Sequence, residues 1–529
     1  MFGAGVRQNR AMQPIAKALS RVILACLMLA GATRGEAAVP PNIVLFLVDD
    51  LGQQDVSVPM LVERSALNDR YRTPNLEKLA ARGVRFSDAY AAAPVCTPSR
   101  TSIMSGQSPA RTHITYWTLE KDTDTSARHP RLDPPKWELN GLQPSPGLLP
   151  ELLRGAGYRT IHAGKAHWGT RGTAGSDPLR MGFDVNIAGH AAGAPGSFFG
   201  TDHFKDAGRK QRGKIAPADA PASVWDVPGL EKWHGTDIWL DDAIARDACD
   251  AVAGAVAAGK PFYLSFCPYG VHAPIMQDAR YAADFADLDR TEQAYATMVA
   301  AIDDALGQIV ARCESLGVLE NTIIVFTSDN GGLSAHARGA APDGSKAHGH
   351  NAPLRSGKGS AYEGGIRVPF VVAGAGIAPR AEPVATPVVG TDLYPTILGW
   401  AGVAAPEGRV IDGIDLGEVI AGSAPAAPRT LVFNQPHKWG PTGPGIEPFT
   451  AIRRDRWKLI WFHDAEGEGA RIELFDVVTD PGETRELSAA EPARLAEMKA
   501  ELRRMTEETA LQPSIVRASG AAVEPPSPD

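Results

Sequence analysis

Residues 42–52 read NIVLFLVDDLG, and residues 321–332 read NTIIVFTSDNGG. In the first, Ile43–Val48 are all apolar, with no alternation of polar positions. That pattern predicts a strand buried on both faces, the kind found in parallel sheets with helices packed above and below. The second stretch has the same grammar: an apolar run, then acid and amide side chains, then glycine. Between them lie helical patterns. TPNLEKLAARG offers Thr73 as N-cap and Pro74 in the first turn. Tyr295, Met298, Val299, Ile302, Leu306, Ile309, Val310 and Cys313 share one helical face. PELLRGAG precedes YRTIHAG, DDAIARDACDAVAGAVAAG precedes PFYLSFC, and VPFVVAG adds a further strand. This alternation predicts an α/β fold over residues 38–420, with a large, mostly parallel sheet sandwiched by helices.

Around that block the texture changes. Arg7, Arg10, Lys17 and Arg21 precede the apolar run Val22–Ala32, and a small-residue cleavage site follows near Ala37. Residues 1–37 therefore read as a secretory signal peptide; the run is too short to span a bilayer comfortably. No later segment is long and apolar enough to cross a membrane. The protein is expected to be exported, to the periplasm or the extracellular space. Toward the C-terminus, AGSAPAAPR (Ala421–Arg429) reads as a linker. TAIRRDRWKLIWF and IELFDVVTD then predict a small antiparallel sheet. Leu495, Met498, Leu502 and Met505 form an apolar helical stripe to dock on it. Residues 430–511 thus make a C-terminal α+β subdomain, and 512–529 a disordered tail.

The 529 residues, 44% of them hydrophobic, support a large core. The net charge is −8, and −12 once residues 1–37 are removed. Nucleic acid is thereby excluded as a generic partner, because phosphate binding needs clustered Lys and Arg. The basic cluster Arg209, Lys210, Arg212 and Lys214 reads as a solvated loop. Four cysteines remain after signal removal: Cys96, Cys249, Cys267 and Cys313. They are too few for a disulfide scaffold. Cys267 and Cys313 sit in apolar runs and read as small core residues, with a pairing of either to Cys249 left open.

Chemistry concentrates at the strand ends. In open α/β sheets, ligands gather at the carboxyl ends of the strands. Asp49, Asp50, Asp329 and Asn330 together would offer three carboxylates and an amide oxygen, a donor set for a hard cation such as Ca²⁺ or, second, Mg²⁺. Cys96 stands among small and polar residues in PVCTPSR, with Pro98 where the first turn of a helix tolerates it. A thiol there lies just before a helix N-terminus, where anionic groups are favoured.

The pentapeptide Cys96–Arg100, CTPSR, resembles the C-x-P-x-R signature of the type I, formylglycine-dependent sulfatases, a family of the alkaline-phosphatase-like superfamily. Seven further segments resemble that family in the same order: PNIVLFLVDDLG, TPNLEKLAARGVRF, GYRTIHAGKAHWG, VHAPI, TSDNGG, APLRSGKGSAYEGGIRVPF and ELFDVVTDPGE. The resemblance implies that Cys96 is oxidised to formylglycine by a formylglycine-generating or anaerobic sulfatase-maturating enzyme. The aldehyde hydrate would then be the nucleophile and a further metal ligand. It implies one Ca²⁺ on Asp49, Asp50, Asp329 and Asn330. Arg100 would steady the hydrate, Lys165 and Lys358 would hold sulfate oxygens, His272 would protonate the leaving oxygen, and His167 would take a proton from the hydrate. One departure is Ala166, where the family often has an aromatic residue between the Lys and the His; Trp168 follows instead. His190 and His437, in loops rich in small residues, are further candidates to reach a substrate.

The implied reaction is hydrolysis of a sulfate monoester, first of a sulfated carbohydrate and second of an aryl sulfate. A phosphomonoester or phosphonate-ester hydrolase of the same superfamily is one alternative, and a non-catalytic sulfated-glycan-binding relative is another. A phosphate dianion would favour a second metal, and the sequence offers no second ligand cluster. Loss of Cys96 or of a metal ligand would mark a non-catalytic relative, and neither is lost.

Overall fold

The first buried run forms strand β1 (Asn42–Val48), every residue of which is buried. It belongs to a computed structural model that describes residues 1–3, 5, 40–206, 223–338, 349–423, 427–440, 443–464, 467 and 469–528. The signal-peptide reading of residues 1–37 and the basic cluster at 209–214 fall outside the described residues, the first almost entirely and the second wholly. With β1, six strands build one sheet: β2 (Gly83–Arg85), β3 (Arg159–Gly164), β4 (Val185–Ile187), β5 (Phe262–Cys267), β6 (Thr322–Ser328) and β7 (Phe370–Gly374). Their order is β2-β7-β6-β1-β5-β3-β4. Parallel pairing runs unbroken from β6 through β1, β5 and β3 to β4. At the other end, β7 pairs antiparallel with both β6 and β2. A parallel return needs a crossover, usually a helix of several turns. Among the described residues between β6 and β7, the helices have four residues or fewer, so the chain re-enters reversed.

Helices cover both faces, as continuous apolar strands require. On one side Phe46, Phe266 and Phe326 meet α3 (Leu240–Ala257) and α4 (Arg290–Ser315), whose predicted stripe from Tyr295 to Cys313 is buried there. Phe46 is 4.8 Å from the ring of Phe266 and 5.4 Å from that of Phe326. The first helix, α1 (Pro74–Ala81), joins this layer through Leu76 and Leu79. On the other side Leu45, Leu47, Ile323 and Val325 meet α2 (Cys96–Ser105) through Ile103 and Met104, and α5 (Leu393–Trp400) through Tyr394 and Ile397. Each such side chain contributes about 1.5–3 kcal/mol by leaving water. All four cysteines in the described region are free, and no helix there is long and apolar enough to cross a membrane.

The C-terminal sheet has four antiparallel strands in sequence order: β8 (Thr430–Gln435), β9 (Phe449–Arg454), β10 (Trp457–Phe462) and β11 (Arg471–Asp476). One face carries α6 (Pro492–Thr509), with Met498 and Leu502 packed on Ile452, Leu459, Trp461 and Leu474. The opposite face supplies Phe433, Phe449, Ile460, Phe462 and Phe475, which share a core with Tyr90, Tyr362 and Ile366 of the larger part. Pro41–Asp529 is accordingly one compact unit. The C-terminal sheet and α6 lie within the expected 430–511, and the sheet's inner face shares its core with the larger part; residues 424–426 of the Ala421–Arg429 stretch lie outside the described ones. The expectation of a disordered tail is corrected: 512–528 is ordered. Ile515–Val516 pair antiparallel with Leu132–Asp133, and Arg517 donates to the carbonyls of His129, Pro130 and Leu132. The segment's composition of small, polar and proline residues reads as disorder, but its backbone and Arg517 find partners on 129–133.

Candidate active site

Strands β1 and β6 pair residue by residue up to Val48 and Ser328, so the acids that follow emerge side by side. Asp329 N donates to Val48 O at 3.1 Å, and Asp50 N to Asp329 Oδ1 at 3.2 Å. Asp50 adopts a left-handed φ of 61°, a conformation that Asp tolerates better than most residues. Helix α2 starts opposite, with Val95 as an extended N-cap and Cys96 as the first helical residue. Cys96 Sγ lies 3.7 Å from Asp49 Oδ1 and 3.9 Å from Asp50 Oδ1. Arg100, four residues on, shares that helix face. Its Nε donates to Asp329 Oδ2 at 2.7 Å and its Nη1 to Lys165 O at 2.8 Å. The Cys-to-Arg spacing of the sequence is therefore one helical turn, with both side chains turned to the strand ends.

Three loops complete the cluster. Lys165 follows Gly164, whose φ is 99° and where a Cβ would fall 1.9 Å from Cys267 O. Lys165 Nζ donates to Asp49 Oδ1 at 2.6 Å. Lys358 Nζ donates to Asp50 Oδ2 at 2.8 Å and stands 3.3 Å from Cys96 Sγ. His272 Nε2 is 3.5 Å from Asp50 Oδ2, while its Nδ1 lies 2.7 Å from Ala273 O. His167 is buried, bonded through Nε2 to Thr118 O at 2.9 Å, with Gly193 packed so closely that a Cβ there would meet its imidazole.

Burial makes every charge here depend on its neighbour. Burial drives the Asp49 carboxyl well above its usual range; Lys165 pulls it down, and Asp329 and Asp50 push it further up. For Asp50, burial acts upward, but Lys358, His272 and Lys165 outweigh it and hold the carboxyl below the usual range. Asp329 is likewise held low against burial, by Arg100 and Lys165. Burial pushes the Cys96 thiol up to about 12 despite Lys165 and Lys358, so the unmodified side chain is a protonated thiol. Burial, with Lys358 beside it, takes His272 down to about 3. His167 is also driven down, by burial and then Lys165.

Two buried oxygens in the cluster, Asp49 Oδ2 and Asn330 Oδ1, have no hydrogen-bond partner. Asn330 Nδ2 is already committed to Asp50 Oδ1 at 2.8 Å and Gly331 O at 3.0 Å. Bare buried acceptors among carboxylates fit a hard cation, which takes oxygen donors. Ligand atoms of Asp49, Asp50, Cys96 and His272 also lie within 4.8 Å of one another. That grouping adds His272 to the donor set read from the sequence.

The structure brings together Asp49, Asp50, Cys96, Arg100, Lys165, His272, Asp329, Asn330 and Lys358; His167 joins them through the Lys165 loop. His437 does not join. Its Nε2 is 2.8 Å from Thr115 Oγ1 and its Nδ1 2.7 Å from Ser126 Oγ, so both ring nitrogens are spent on holding the 115–126 segment. His190 contributes its carbonyl, which accepts from His167 N at 3.2 Å. Three neighbours carried no readable signal in the sequence. Thr118 fixes His167, and Trp439 lies with its ring 5.6 Å from Lys358 Nζ. Asp241 Oδ1 accepts from Tyr269 N at 2.8 Å and so braces the loop that carries His272.

Comparison with known proteins agrees with this assembly. The sulfatase family profile matches residues 41–403, and the N-sulphoglucosamine sulphohydrolase C-terminal profile matches residues 357–511. N-acetylgalactosamine-6-sulfatase of Sus scrofa is 33% identical over 410 residues, 77% of this chain and 70% of that protein. Arylsulfatase A of Homo sapiens is 28% identical over 489 residues, 89% of this chain and 84% of that protein. Among solved structures, Ps i-CgsB superposes with a TM-score of 0.69 at 27% identity, covering 88% of this chain and 93% of its own. Its complex with k-i-k-neocarrahexaose gives 0.69 at 25% identity, covering 92% and 95%. With the profile spanning most of the catalytic part and these relatives aligned along most of its length, the chain belongs to the sulfatase family of the alkaline-phosphatase-like superfamily and is a sulfuric ester hydrolase.

Proposed function

We propose that this exported enzyme removes sulfate from a sulfated saccharide, with formylglycine made from Cys96 as the source of its nucleophile and one Ca²⁺ as cofactor. The observation that carries this reading is the ring of charge at Cys96: three carboxylates and three cations within one buried cluster, with Lys358 Nζ 3.3 Å from the sulfur. The saccharide is favoured by the relatives, one named for N-acetylgalactosamine 6-sulfate and one solved with a neocarrahexaose. Export is favoured by the charged and apolar pattern of residues 1–37.

Asp49, Asp50, Asp329 and Asn330 would hold the ion, and two of their oxygens are otherwise bare. The ion would supply Lewis-acid polarisation of a sulfate oxygen. Lys165 and Lys358, relieved of some of their present carboxylate contacts, would orient the sulfate oxygens. Arg100, already fixed by Asp329 and the Lys165 carbonyl, would position the nucleophile. The hydrolysis of such an ester calls for a barrier reduction on the order of 20 kcal/mol. A helix N-terminus alone offers about 0.3–1 kcal/mol, so fixed charges carry the load. A bound ester brings negative charge between Lys358 and His272, which favours the protonated imidazole needed to donate to the leaving oxygen. His167, neutral through burial, would accept a proton from the nucleophile.

The direct test is the mass of tryptic peptide Phe86–Arg100 from secreted, active enzyme. A peptide lighter than the cysteine form and reactive toward hydrazide is expected. An intact thiol in enzyme that releases inorganic sulfate would overturn the nucleophile assignment. Chelation should lower the thermal midpoint and Ca²⁺ should restore it; a midpoint indifferent to both would remove the ion.

A further inference from the structure

Beyond the charged cluster, the C-terminal sheet sends one aromatic side chain into the site. Trp439 follows β8, and its position is fixed from several directions. Its backbone N–H donates to Ile446 O at 2.9 Å. His437, two residues earlier, is locked by Thr115 and Ser126. The indole lies so close over Gly359 that a Cβ at that glycine would fall 1.8 Å from Trp439 Cδ1. Tyr116 meets it edge-on at 5.7 Å and 66°, and is itself stacked on His437 at 4.8 Å. Trp439 is nevertheless only partly buried, as is Trp117 next to Tyr116. The indole ring is 5.6 Å from Lys358 Nζ, the ammonium that stands 3.3 Å from Cys96 Sγ.

We propose that Trp439 is a specificity-determining residue: its half-open indole, held beside Lys358 by Gly359 and Tyr116, stacks on the C–H face of the sugar ring whose sulfate Lys358 orients. The inference deepens the saccharide reading above and rests on it. Apart from their charge, sulfated sugars present one apolar ring face and a polar rim. A fixed aromatic next to a sulfate-orienting ammonium matches both, and a rigid indole loses little conformational freedom on contact. An acyclic sulfate ester has no ring to stack, so it should be blind to this residue.

The test compares wild type, Trp439→Leu and Trp439→Phe on N-acetylgalactosamine-6-sulfate, nitrophenyl sulfate and propyl sulfate, with thermal midpoints checking that the variants fold. Trp439→Leu should raise KM for the sugar about tenfold with kcat nearly unchanged, and Trp439→Phe should recover most of that loss. Propyl sulfate kinetics should stay within about twofold of wild type in both variants. Equal losses on the sugar and on propyl sulfate would overturn the proposal, because Trp439 would then act by holding Lys358. A sugar KM unmoved in Trp439→Leu, while wild type turns the sugar over, would overturn it alone and leave the saccharide reading intact. A loss confined to nitrophenyl sulfate overturns the sugar stack, and wild type that hydrolyses only nitrophenyl sulfate overturns the saccharide reading as well. Should Trp439→Leu not fold, Trp439→Met takes its place in the same comparison, and the same outcomes decide.

Discussion

At Asp329 a single carboxylate serves two neighbours. One oxygen accepts the Asp50 amide, and the other accepts Arg100 Nε at 2.7 Å. Both partners of the ion pair are buried, with 1% and 0% of their side chains exposed. Removing one member of such a pair leaves an uncompensated charge, typically a loss of about 3–5 kcal/mol. Asp329→Ala should therefore lose that much in urea unfolding, as well as nearly all sulfate release. Unchanged unfolding would show that Arg100 is not held by this carboxylate. A charge-neutral Asp329→Asn keeps the shape but not the pairing, and should fall between the two.

At the scale of elements, the C-terminal sheet is joined to the larger part by a second buried ion network. Lys458 on β10 donates to Glu363 Oε1 at 2.9 Å and Glu483 Oε1 at 2.8 Å. Glu363 also accepts from Tyr90 OH at 2.6 Å and Arg367 Nη1 at 3.2 Å, and Arg367 reaches Asp88 at 3.0 Å. Burial raises Glu483 to about 7, whereas Lys458 and Arg367 outweigh burial at Glu363 and hold it near 2. Lys458→Ala strands both carboxylates, and a loss of about 3–5 kcal/mol is expected. Lys458→Met, which fills the volume, should lose less than the alanine variant. The two unfolding curves measure this difference, and equal midpoints would mean that Lys458 contributes charge alone and no packing.

At the scale of the whole molecule, buried histidines that must stay neutral make the fold sensitive to acid. His437 and His463 are both buried and pushed down to about 3, principally by burial. His463 is clamped between Thr450 Oγ1 at 3.1 Å and Ser514 Oγ at 2.9 Å, so it ties β9, β10 and the C-terminal segment together. In the unfolded chain such groups protonate near pH 6.5. Their contribution is thus complete above about pH 6.5, and is lost as pH falls from there toward about 3, at about 1 kcal/mol per pH unit for each histidine. Carboxylates held low, such as Asp329 and Glu363, add their loss only below about pH 4. Carboxyls that burial holds high, Asp49 and Glu483, bind protons on folding over the same range and oppose this loss. The histidine share is therefore read as a difference: His463→Asn should lose less of its thermal midpoint than wild type between about pH 7 and about pH 4, while starting from a lower neutral-pH midpoint. A slope untouched by the substitution would show that other groups take up the protons.

The sequence by itself determined what depends on local pattern. Continuous apolar runs made β1 and β6 buried strands, because no half-exposed strand can hide Ile43–Val48. Acids set immediately after those runs had to appear at the carboxyl edge of the sheet. The signature placed Cys96 just before a helix, whereas the helix begins at Cys96 itself, and only that start gives Cys96 and Arg100 a common face. Family order then carried Lys165, His167, His272 and Lys358 into the same site. Tertiary structure alone decided the rest, since those outcomes depend on which distant surfaces meet. The reversal of β7 follows from the absence of a long described helix after β6, not from the strand's own residues. The apolar face of the C-terminal sheet looked the same whether it covered itself or, as happens, Tyr90 and Tyr362. Residues 512–528 carry the composition of a tail and are ordered by partners on 129–133. His437 is a structural anchor rather than a substrate contact because two hydroxyls far along the chain occupy its ring. Trp439 reaches Lys358 only because that anchor and Gly359 leave it one place to lie, a constraint of packing that no local periodicity records.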